Sequence, residues 1–424
     1  MKVATCAAPT NIAVIKYWGK DDVALNTPLN SSVSVTLHQD QLRTTTSVAG
    51  GRELQTTRLW LNGQEQPINK RVAIVLREMK QWAIRVRGSD SDATQHLHIV
   101  STNSFPTAAG LASSAAGYAC LVAALAEFYG LSKADEEYPG QLSAIARQGS
   151  GSACRSLDGG FVAWQKGEQP DGRDSSAVQV ADELHWPGLC AVVCVVNDAQ
   201  KDTSSTTGMQ TTKATSPLLA YRAKHLVPER MKIMEKAILE RDFQAFGALT
   251  MQDSNQFHAT CLDTTPPIFY LNDVSRQIIR LVHRYNEQAG RVQAAYTFDA
   301  GPNAVLFVEE QHVQEVVSLV HHCFPTSHKM TIKSSIAVDR TPSAALLAKM
   351  EAKAENGKAF NLPHIPDSVK MMYVSRVGGG TCVLPADEAL VDAPSFWLPE
   401  EPALRYLATA VAAAAVTSAV LLRK

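Results

Sequence analysis

FPTAAGLASSAAG, residues 105–117, is the stretch that says most about how this chain folds. Its small side chains allow the backbone to approach a ligand closely. Residues 111–129 have the composition of a helix that stops at Gly130, and its first turn presents unpaired N–H groups and a positive dipole end. The stretch therefore predicts a phosphate-binding loop at a helix N-terminus. It is not a Walker loop, because it contains no GKS or GKT sequence.

The segments around this loop alternate irregularly between strand and helix patterns. Strands are indicated at 3–18, 31–48, 97–105, 159–164, 190–196, 293–298 and 304–308. Asn62-Gly63 supplies a tight turn for a hairpin over 53–66. Apolar spacing predicts helices at 70–86, 111–129, 141–148, 217–239, 242–257, 271–288 and 311–323. This order predicts an α+β fold with two sandwich-like halves, and not a doubly wound parallel sheet.

Length and composition limit the classes of protein to which the chain can belong. Its 424 residues indicate two or three structural units. A formal net charge of −1 argues against nucleic acid or an anionic membrane as partner, although a few local cations could hold an anionic substrate. The eight cysteines show no metal-binding spacing, which favours reduced thiols in a cytoplasmic enzyme.

The C-terminal tail is open to two interpretations. Residues 406–422 carry no charge, and this length is at the short limit of what crosses a bilayer. Many of these residues are alanine, which is weakly apolar and a strong helix former. We therefore favour a surface helix over a membrane contact through the 406–422 tail.

A second string, APTNIAVIKYWGK at residues 8–20, places two lysines close together. Lys16 interrupts an otherwise apolar strand, and Lys20 follows it across a glycine turn. Two ammonium groups beside aromatic rings could line an anion pocket. A lysine at the edge of a strand, with its stem buried and its head in water, explains the pattern equally well.

Two more strings contain a charged residue at a turn. In GSGSACRSL, residues 149–157, Arg155 can donate two parallel hydrogen bonds to a carboxylate. In YTFDAGPNA, residues 296–304, Asp299 ends a strand before a Gly-Pro turn. Taken singly, these are also typical of a solvated arginine and of an ordinary turn aspartate.

Together and in this order, the strings resemble the mevalonate diphosphate decarboxylases, a branch of the GHMP kinase superfamily. Two further strings fit the same pattern, MQDSNQFHAT at 251–260 and STTGM at 205–209, the latter in a loop leading to TSP at 215–217. The resemblance begins at residue 4 and fades after about residue 340. Six chemically sensible motifs in one order are far more specific than any single one.

The resemblance implies a particular architecture. It implies the GHMP kinase fold, with an N-terminal half like domain 2 of ribosomal protein S5, a ferredoxin-like C-terminal half and a deep cleft between them. We expect an N-terminal domain with the ATP phosphate loop over residues 1–187 and a C-terminal domain over residues 188–387. The Pro-rich, acidic segment and alanine-rich tail of residues 388–424 are expected outside this core.

The resemblance also implies an activity and a set of site residues. It implies a cytoplasmic, homodimeric lyase that uses ATP and Mg²⁺ to convert mevalonate 5-diphosphate to isopentenyl diphosphate in isoprenoid and sterol biosynthesis. The implied catalytic residues are Asp299, Arg155 and Lys16. The implied substrate-binding residues are Tyr17, Trp18, Gly19, Lys20, Arg71, Ser150, Gly151, Ser152, Ala153, Cys154, Arg155 and Thr206. The implied ATP-binding residues are Pro106, Thr107, Ala108, Ala109, Gly110, Leu111, Ala112, Ser113 and Ser114, and no protein ligand to a metal is expected.

Two positions near these motifs need separate treatment. Asp158 stands where family members usually carry an aromatic residue, and a carboxylate near an anionic substrate is unfavourable unless it points away. His258 is expected to be a hydrogen-bonded structural histidine and not a ligand.

Two rival functions remain at the level of sequence. A kinase of the same superfamily would stop at the 3-phosphate without decarboxylation, and only the substrate end of the site would differ. A non-catalytic, membrane-tethered homologue would keep the fold and use the uncharged tail. Retention of Lys16, Arg155 and Asp299 argues against the second alternative.

Overall fold

A computed structural model describes residues 1–88, 92, 95–105, 113–196, 202–327, 330–352 and 360–391. The predicted phosphate-loop residues 106–112 and the tail residues 392–424 lie outside this range. Within the described ranges, no helix is long and apolar enough to cross a membrane.

The N-terminal half contains a mixed sheet covered by helices. Its strands run in the order β15-β1-β4-β7-β5-β6. Their bounds are Lys2–Pro9 (β1), Arg43–Gly50 (β4), Arg58–Leu61 (β5), Gln64–Gln66 (β6), Leu97–Asn103 (β7) and Cys382–Val383 (β15). The helices packed with it are Lys70–Arg87 (α1), Ser113–Tyr129 (α2) and Gln141–Gly149 (α3). α1 begins at a cap in which the Asn69 side chain accepts from two backbone N–H groups, and it buries its Val72, Val75, Met79, Trp82 and Ala83.

A second sheet lies between this layer and the C-terminal half. Its order is β2-β3-β8-β9. Its strands are Asn11–Ile15 (β2), Ser32–Thr36 (β3), Phe161–Trp164 (β8) and Ala177–Ala181 (β9). Apolar residues of β2, β3 and β8 share one core with the C-terminal half. That shared core fixes the two halves against each other.

The C-terminal half consists of a third sheet and its helices. The sheet has the order β11-β12-β10-β14-β13. Its strands are Leu189–Val195 (β10), Ala294–Phe298 (β11), Ala304–Glu309 (β12), Thr331–Ser334 (β13) and Met371–Arg376 (β14). The helices are Ser205–Thr215 (α4), Pro217–Tyr221 (α5), Val227–Glu240 (α6), Phe243–Leu262 (α7), Asp273–Ala289 (α8), Glu310–Cys323 (α9) and Ala344–Glu351 (α10). A π-helical turn at Arg222–Leu226 joins α5 to α6.

The predicted α+β class is confirmed, but two predicted strands divide. The segments 3–18 and 31–48 each supply one strand to the first sheet and one to the second. Pro9 ends β1, because proline has no N–H to continue the ladder, and β2 starts two residues later. The hairpin prediction is confirmed, since Asn62 and Gly63 both have positive φ between β5 and β6.

The segment 205–209 was predicted as part of a loop, and that prediction is wrong. It forms the first turn of α4, where the Ser204 side chain accepts from the Thr207 backbone N–H. This N-cap compensates for a helix rich in threonine, which has a low helix propensity. The predicted domain boundaries at 187/188 and 387/388 stay predictions.

Candidate active site

A polar cavity opens between the two halves of the molecule. Its volume is about 270 Å³. It is lined by Asn11, Ala13, Lys16, Tyr17, Trp18, Lys20, Asn26, Arg71, Ser113, Ser114, Ser150, Gly151, Ser152, Arg155, Ser205, Thr206, Met209, Phe257, Asp299 and Ala300. Among these described lining residues, four are lysine or arginine and one is an acid. The excess of positive charge suits a ligand with several negative charges.

Lys16 and Asp299 form an ion pair in this cavity. Lys16 Nζ lies 2.6 Å from Asp299 Oδ1. Lys16 follows directly after β2 and is buried, whereas Asp299 follows β11 and keeps 34% of its side chain exposed. The pair therefore joins the two halves and leaves part of the carboxylate open to a ligand.

Arg155 is a buried cation in the wall of the same cavity. It lies in a 3₁₀ turn, Gly151–Ser156, that follows α3. Its Nε donates to Asn11 Oδ1 (3.3 Å) and to Ser34 Oγ (3.0 Å), and its Nη1 donates to Ser32 Oγ (2.6 Å). These partners are neutral, and burial lowers the pKa of Arg155 below its usual value. Its hydrogen bonds to neutral side chains hold the guanidinium in place, and the Asp299 carboxylate partly offsets the effect of burial on its pKa.

The lysine-bearing string also supplies aromatic and cationic walls. Trp18 Nε1 donates to Thr212 Oγ1 (3.1 Å), which fixes the indole against α4. Burial raises the pKa of Tyr17 and keeps its phenol protonated. Burial, with a smaller effect from Arg71, lowers the pKa of Lys20 to about 8. Lys20 is therefore sensitive to pH in the range where enzymes are assayed.

Arg71 and Thr206 approach the cavity from opposite halves. Arg71 Nη2 lies 3.2 Å from Thr206 Oγ1. The first belongs to the start of α1 and the second to the first turn of α4. Both were predicted to contact substrate, and the structure brings them together with Lys16, Arg155 and Asp299 around one cavity.

A second, more apolar cavity adjoins the first at the start of α2. Its volume is about 310 Å³. Ser113 and Ser114 line both cavities. Ser114 Oγ also lies 3.2 Å from Ser150 Oγ. The other residues that line this second cavity are Thr46, Leu59, Leu61, Gln66, Pro67, Asn69, Val72, Ile99, Ser101, Asn103, Gly117, Tyr118 and Leu121.

Some predicted site residues are not at the cavity surface, or lie outside the described residues. Gly19 is not among its lining residues, and Ala153 and Cys154 are fully buried behind it. The Cys154 thiol contacts the Gly151 carbonyl, and burial raises its pKa to about 12. Pro106, Thr107, Ala108, Ala109, Gly110, Leu111 and Ala112 lie outside the described residues.

The sequence arguments missed Asn11. This buried residue accepts from Arg155 and donates to the Ser152 carbonyl (3.1 Å) and to Ser156 Oγ (2.7 Å). It thereby ties the 3₁₀ turn to β2. Asparagine is uncommon within strands, so its place beside an apolar run was the available signal.

The structure shows what surrounds Asp158 and His258, the two positions near the motifs that needed separate treatment. Asp158 Oδ1 lies 3.1 Å from Lys133 Nζ, and Asp158 is not among the residues that line the cavity. Its carboxylate thus points toward an exposed lysine. Burial, with Lys16 nearby, lowers the pKa of His258 to about 3, so the imidazole is neutral. His258 also interacts with the Phe298 backbone, in keeping with the structural part that we expected for it.

No group of three or more His, Cys, Asp or Glu side chains suited to a metal ion occurs among the residues whose positions are described. Mg²⁺ generally keeps several waters and binds few protein groups, so such a group of side chains is not required for it.

Comparisons with known proteins match the chain to one family. A model of the diphosphomevalonate decarboxylase-like N-terminal domain matches residues 8–177, and one of the mevalonate 5-diphosphate decarboxylase C-terminal domain matches residues 191–384. The diphosphomevalonate decarboxylase of Rattus norvegicus is 58% identical over 330 residues, which are 76% of this chain and 80% of the rat protein.

Solved structures agree with the sequence matches. A crystal structure of mevalonate 5-diphosphate decarboxylase is 45% identical with a TM-score of 0.79, covering 93% of this chain and 99% of that chain. A structure of MDDEF in complex with MVAPP, AMPPCP and magnesium is 29% identical with a TM-score of 0.67, covering 90% of this chain and 98% of that one. The chain therefore belongs to the diphosphomevalonate decarboxylase family.

Proposed function

We propose that the protein uses ATP to decarboxylate and dehydrate (R)-5-diphosphomevalonate, giving isopentenyl diphosphate, ADP, phosphate and CO₂. The observation that carries the proposal is the Lys16–Asp299 pair in the same cavity as Arg155. A cationic cavity with one partly exposed carboxylate suits a substrate that carries a diphosphate, a carboxylate and a hydroxyl group to be activated.

The reaction divides into two chemical events. The 3-hydroxyl oxygen first takes the terminal phosphoryl group of ATP, because a tertiary alcohol is a poor leaving group. Phosphate then departs with the C–O bonding electrons, and carbon 3 develops positive charge. The bond from carbon 2 to the carboxylate carbon breaks, its electrons form the new C=C bond, and CO₂ is released.

Asp299 and Lys16 act at the 3-hydroxyl in this proposal. The part of Asp299 that remains exposed accepts or orients the hydroxyl proton. The Lys16 ammonium group orients the carboxylate through their ion pair and offsets charge on the transferred phosphoryl group. Phosphoryl transfer depends mainly on such positioning and charge neutralisation.

Arg155 binds the substrate carboxylate. Its bonds to Asn11, Ser32 and Ser34 fix the plane of the guanidinium before substrate arrives. A planar fork can hold two carboxylate oxygens, which a lysine cannot do. The hydrogen-bond partners of Arg155 are neutral and Asp299 acts on it only at longer range, so we propose that an incoming anion supplies its direct counter-charge.

The remaining cations and hydroxyls surround the diphosphate. We assign this part to Lys20, Arg71 and Thr206, together with Ser150, Gly151 and Ser152 and the walls formed by Tyr17 and Trp18. The depressed pKa of Lys20 reflects the burial of this cation beside Arg71, and an anionic ligand would relieve that cost.

The apolar cavity is our proposed site for the nucleoside of ATP. It shares Ser113 and Ser114 with the polar cavity, where α2 begins, and this supports a position for the phosphates between the two cavities. When bound, Mg²⁺ neutralises the charge of the phosphates, and the two serine hydroxyls are the protein groups suited to approach it. The solved relative in complex with AMPPCP and magnesium supports this use of ATP and Mg²⁺.

Product analysis tests the proposal directly. The protein is incubated with ATP, Mg²⁺ and mevalonate 5-diphosphate, CO₂ is trapped, and the products are identified by mass spectrometry. Isopentenyl diphosphate with an equal yield of ADP and CO₂ supports it. ADP with a 3-phosphorylated substrate and no CO₂ would establish a kinase instead. A matched variant, Arg155→Lys, is expected to lower substrate affinity, turnover or both.

We further propose that the protein works as a cytoplasmic homodimer, as its family resemblance implies. Among the described residues, every cysteine is a free thiol, in keeping with a reducing compartment. Light scattering would measure the oligomeric state. A membrane-pelleting assay with and without residues 403–424 would test the rival tether, which predicts pelleting only of the full chain.

A further inference from the structure

The main chain of Lys16 is held by side chains from outside its own strand. Its N–H donates to Asp253 Oδ2 (2.7 Å), and its C=O accepts from Arg222 Nη2 (3.0 Å) and from Asn30 Nδ2 (3.0 Å). Asp253 lies on α7 and Arg222 in the π-helical turn. Side chains of the C-terminal half therefore hydrogen-bond to both backbone groups of the proposed catalytic lysine. The same half carries Asp299.

Asp253 and Arg222 belong to a buried charge network with Arg230. Arg222 donates from Nη1 to Asp253 Oδ1 and from Nη2 to Asp253 Oδ2, both at 2.8 Å. Arg230 Nη1 donates to Asp253 Oδ1, also at 2.8 Å. Burial alone would raise the pKa of Asp253, but the two arginines outweigh it and hold that pKa below its usual value. The network is thus a rigid, ionised anchor inside the protein.

The π-helical turn explains how one carboxylate meets both arginines. Arg222 and Arg230 are eight positions apart, and about 7.2 residues complete two α-helical turns. In a continuous α-helix, the Arg230 side chain would therefore project further around the helix axis than the Arg222 side chain, and the two would not point the same way. The wider turn at Arg222–Leu226 takes up the excess, so both guanidinium groups reach Asp253. π-helical turns are frequent at functional sites, and this one carries the arginine that donates to the Lys16 carbonyl.

We infer that Arg222 and Asp253 are positioning residues, which set the main chain of Lys16 so that its ammonium group meets Asp299. This inference rests on the proposed function of the Lys16–Asp299 pair. Arg230 has a different part, because its described contact in the network is with Asp253 and not with Lys16. Arg230 offsets the charge of the buried Asp253 carboxylate, whereas Arg222 also contacts the Lys16 carbonyl.

This difference supplies a matched pair of variants. In Arg222→Lys, one compact ammonium group replaces a planar fork that holds both Asp253 oxygens and the Lys16 carbonyl from two nitrogens, so these contacts cannot all keep their geometry. In Arg230→Lys, an ammonium group can keep the one contact with Asp253. Arg222→Lys is expected to lower kcat ~10-fold, with KM for both substrates within about two-fold, because a small misplacement of a reacting group is costly. Arg230→Lys is expected to keep kcat within about two-fold.

A second measurement does not depend on activity. Hydrogen exchange of a peptide covering residues 11–20, followed by mass spectrometry, reports on the Lys16 amide bonded to Asp253. Exchange is expected to be faster in Arg222→Lys than in Arg230→Lys. If the wild type made no product while this difference in exchange held, the proposed function would fail and the anchoring of Lys16 would stand.

Equal kcat losses in the two variants, or an unchanged kcat in Arg222→Lys, would overturn the inference. If Arg222→Lys does not fold, Asn30→Ala removes the other donor to the Lys16 carbonyl without touching the buried charges. We expect a ~3-fold loss of kcat in that variant at unchanged KM. An Asn30→Ala enzyme with full kcat would equally refute the positioning of Lys16 through its main chain.

Discussion

Arg155 and Arg222 are buried to a similar degree, but only Arg222 hydrogen-bonds to a carboxylate. Arg222 meets Asp253 through two nitrogens and shares that carboxylate with Arg230. Arg155 is held by two serine hydroxyls and an asparagine amide. A buried cation without an internal counter-ion is unfavourable for folding alone. We therefore expect Arg222 both to stabilise the fold and to position Lys16, and we expect Arg155 to meet its direct counter-charge in the ligand.

The carboxylates in the two regions differ in the same way. Asp253 is fully buried and accepts from two arginines and a backbone N–H. Asp299 keeps 34% of its side chain exposed and has Lys16 as its ion-pair partner. One carboxylate has its hydrogen-bonding capacity used inside the protein. The other retains accessible oxygen surface with which to meet a hydroxyl group.

The largest effect is expected from the same substitution at the two carboxylates. Asp299→Asn removes the group that accepts the hydroxyl proton, so kcat is expected to fall about 1000-fold. The loss in the free energy of unfolding is expected to be smaller than that of Asp253→Asn, because Asp299 is partly exposed and only one cation, Lys16, loses its carboxylate. Asp253→Asn leaves two buried arginines without their carboxylate and is expected to cost about 3–5 kcal/mol of that free energy. Coupled ADP release and urea denaturation measure the two quantities.

The control for this pair is the binding of ATP and substrate to Asp299→Asn, which is expected to stay near that of the wild type. Normal turnover in Asp299→Asn would remove this residue from catalysis. A large loss of stability in the same variant would erase the distinction between the two carboxylates.

The two arginines give the next largest effect. Arg222→Gln strips Asp253 of its forked partner and is expected to lower the free energy of unfolding by about 3 kcal/mol. Arg155→Gln removes a charge whose hydrogen-bond partners are neutral, so stability is expected to change by less than about 1 kcal/mol. The same Arg155 variant is expected to lose about 100-fold in kcat/KM for mevalonate diphosphate. If Arg155→Gln were the less stable of the two, the assignment of the two arginines would be reversed.

The sequence supported one of these regions better than the other. The strings around Lys16, Arg155 and Asp299 each have an ordinary explanation when taken singly, and they became specific only because they occur together and in one order. The network of Asp253 with two arginines is made by residues in helical segments, where charged residues are common and give no signal of a buried network. Only the fold brings Asp253 to Lys16, which is 237 positions away in the chain.

The fold itself was predictable where local chemistry determines it. Asn62-Gly63 predicted its hairpin, because both residues tolerate positive φ. Threonine-rich α4 was missed, since its N-cap at Ser204 outweighs weak propensity. The division of 3–18 between two sheets was also missed, because strand periodicity does not report which sheet a strand joins.

A smaller effect is expected at Lys20, which extends the comparison between charges that have a partner inside the protein and charges that meet one in the ligand. Burial lowers its pKa to about 8, so the free enzyme loses this cation as the pH rises through that value. An anionic substrate needs the charged form, and kcat/KM is therefore expected to fall about ten-fold per pH unit above the pKa. Lys20→Arg keeps its charge at these pH values and is expected to remove this fall. A decline with the same midpoint in Lys20→Arg would assign it to another group.

The smallest effect is expected at Asp158, beside the loop that carries Arg155. Its partner Lys133 has 76% of its side chain exposed, and exposed pairs contribute little to stability. Asp158→Asn is expected to change the free energy of unfolding by less than about 0.5 kcal/mol and KM for mevalonate diphosphate by less than two-fold. Solvent and salt screen the carboxylate, and it points away from the cavity. If KM fell several-fold at low ionic strength and recovered in salt, Asp158 would repel the substrate, and Asp158 would have to be counted with Asp299 among the charges that act near Arg155.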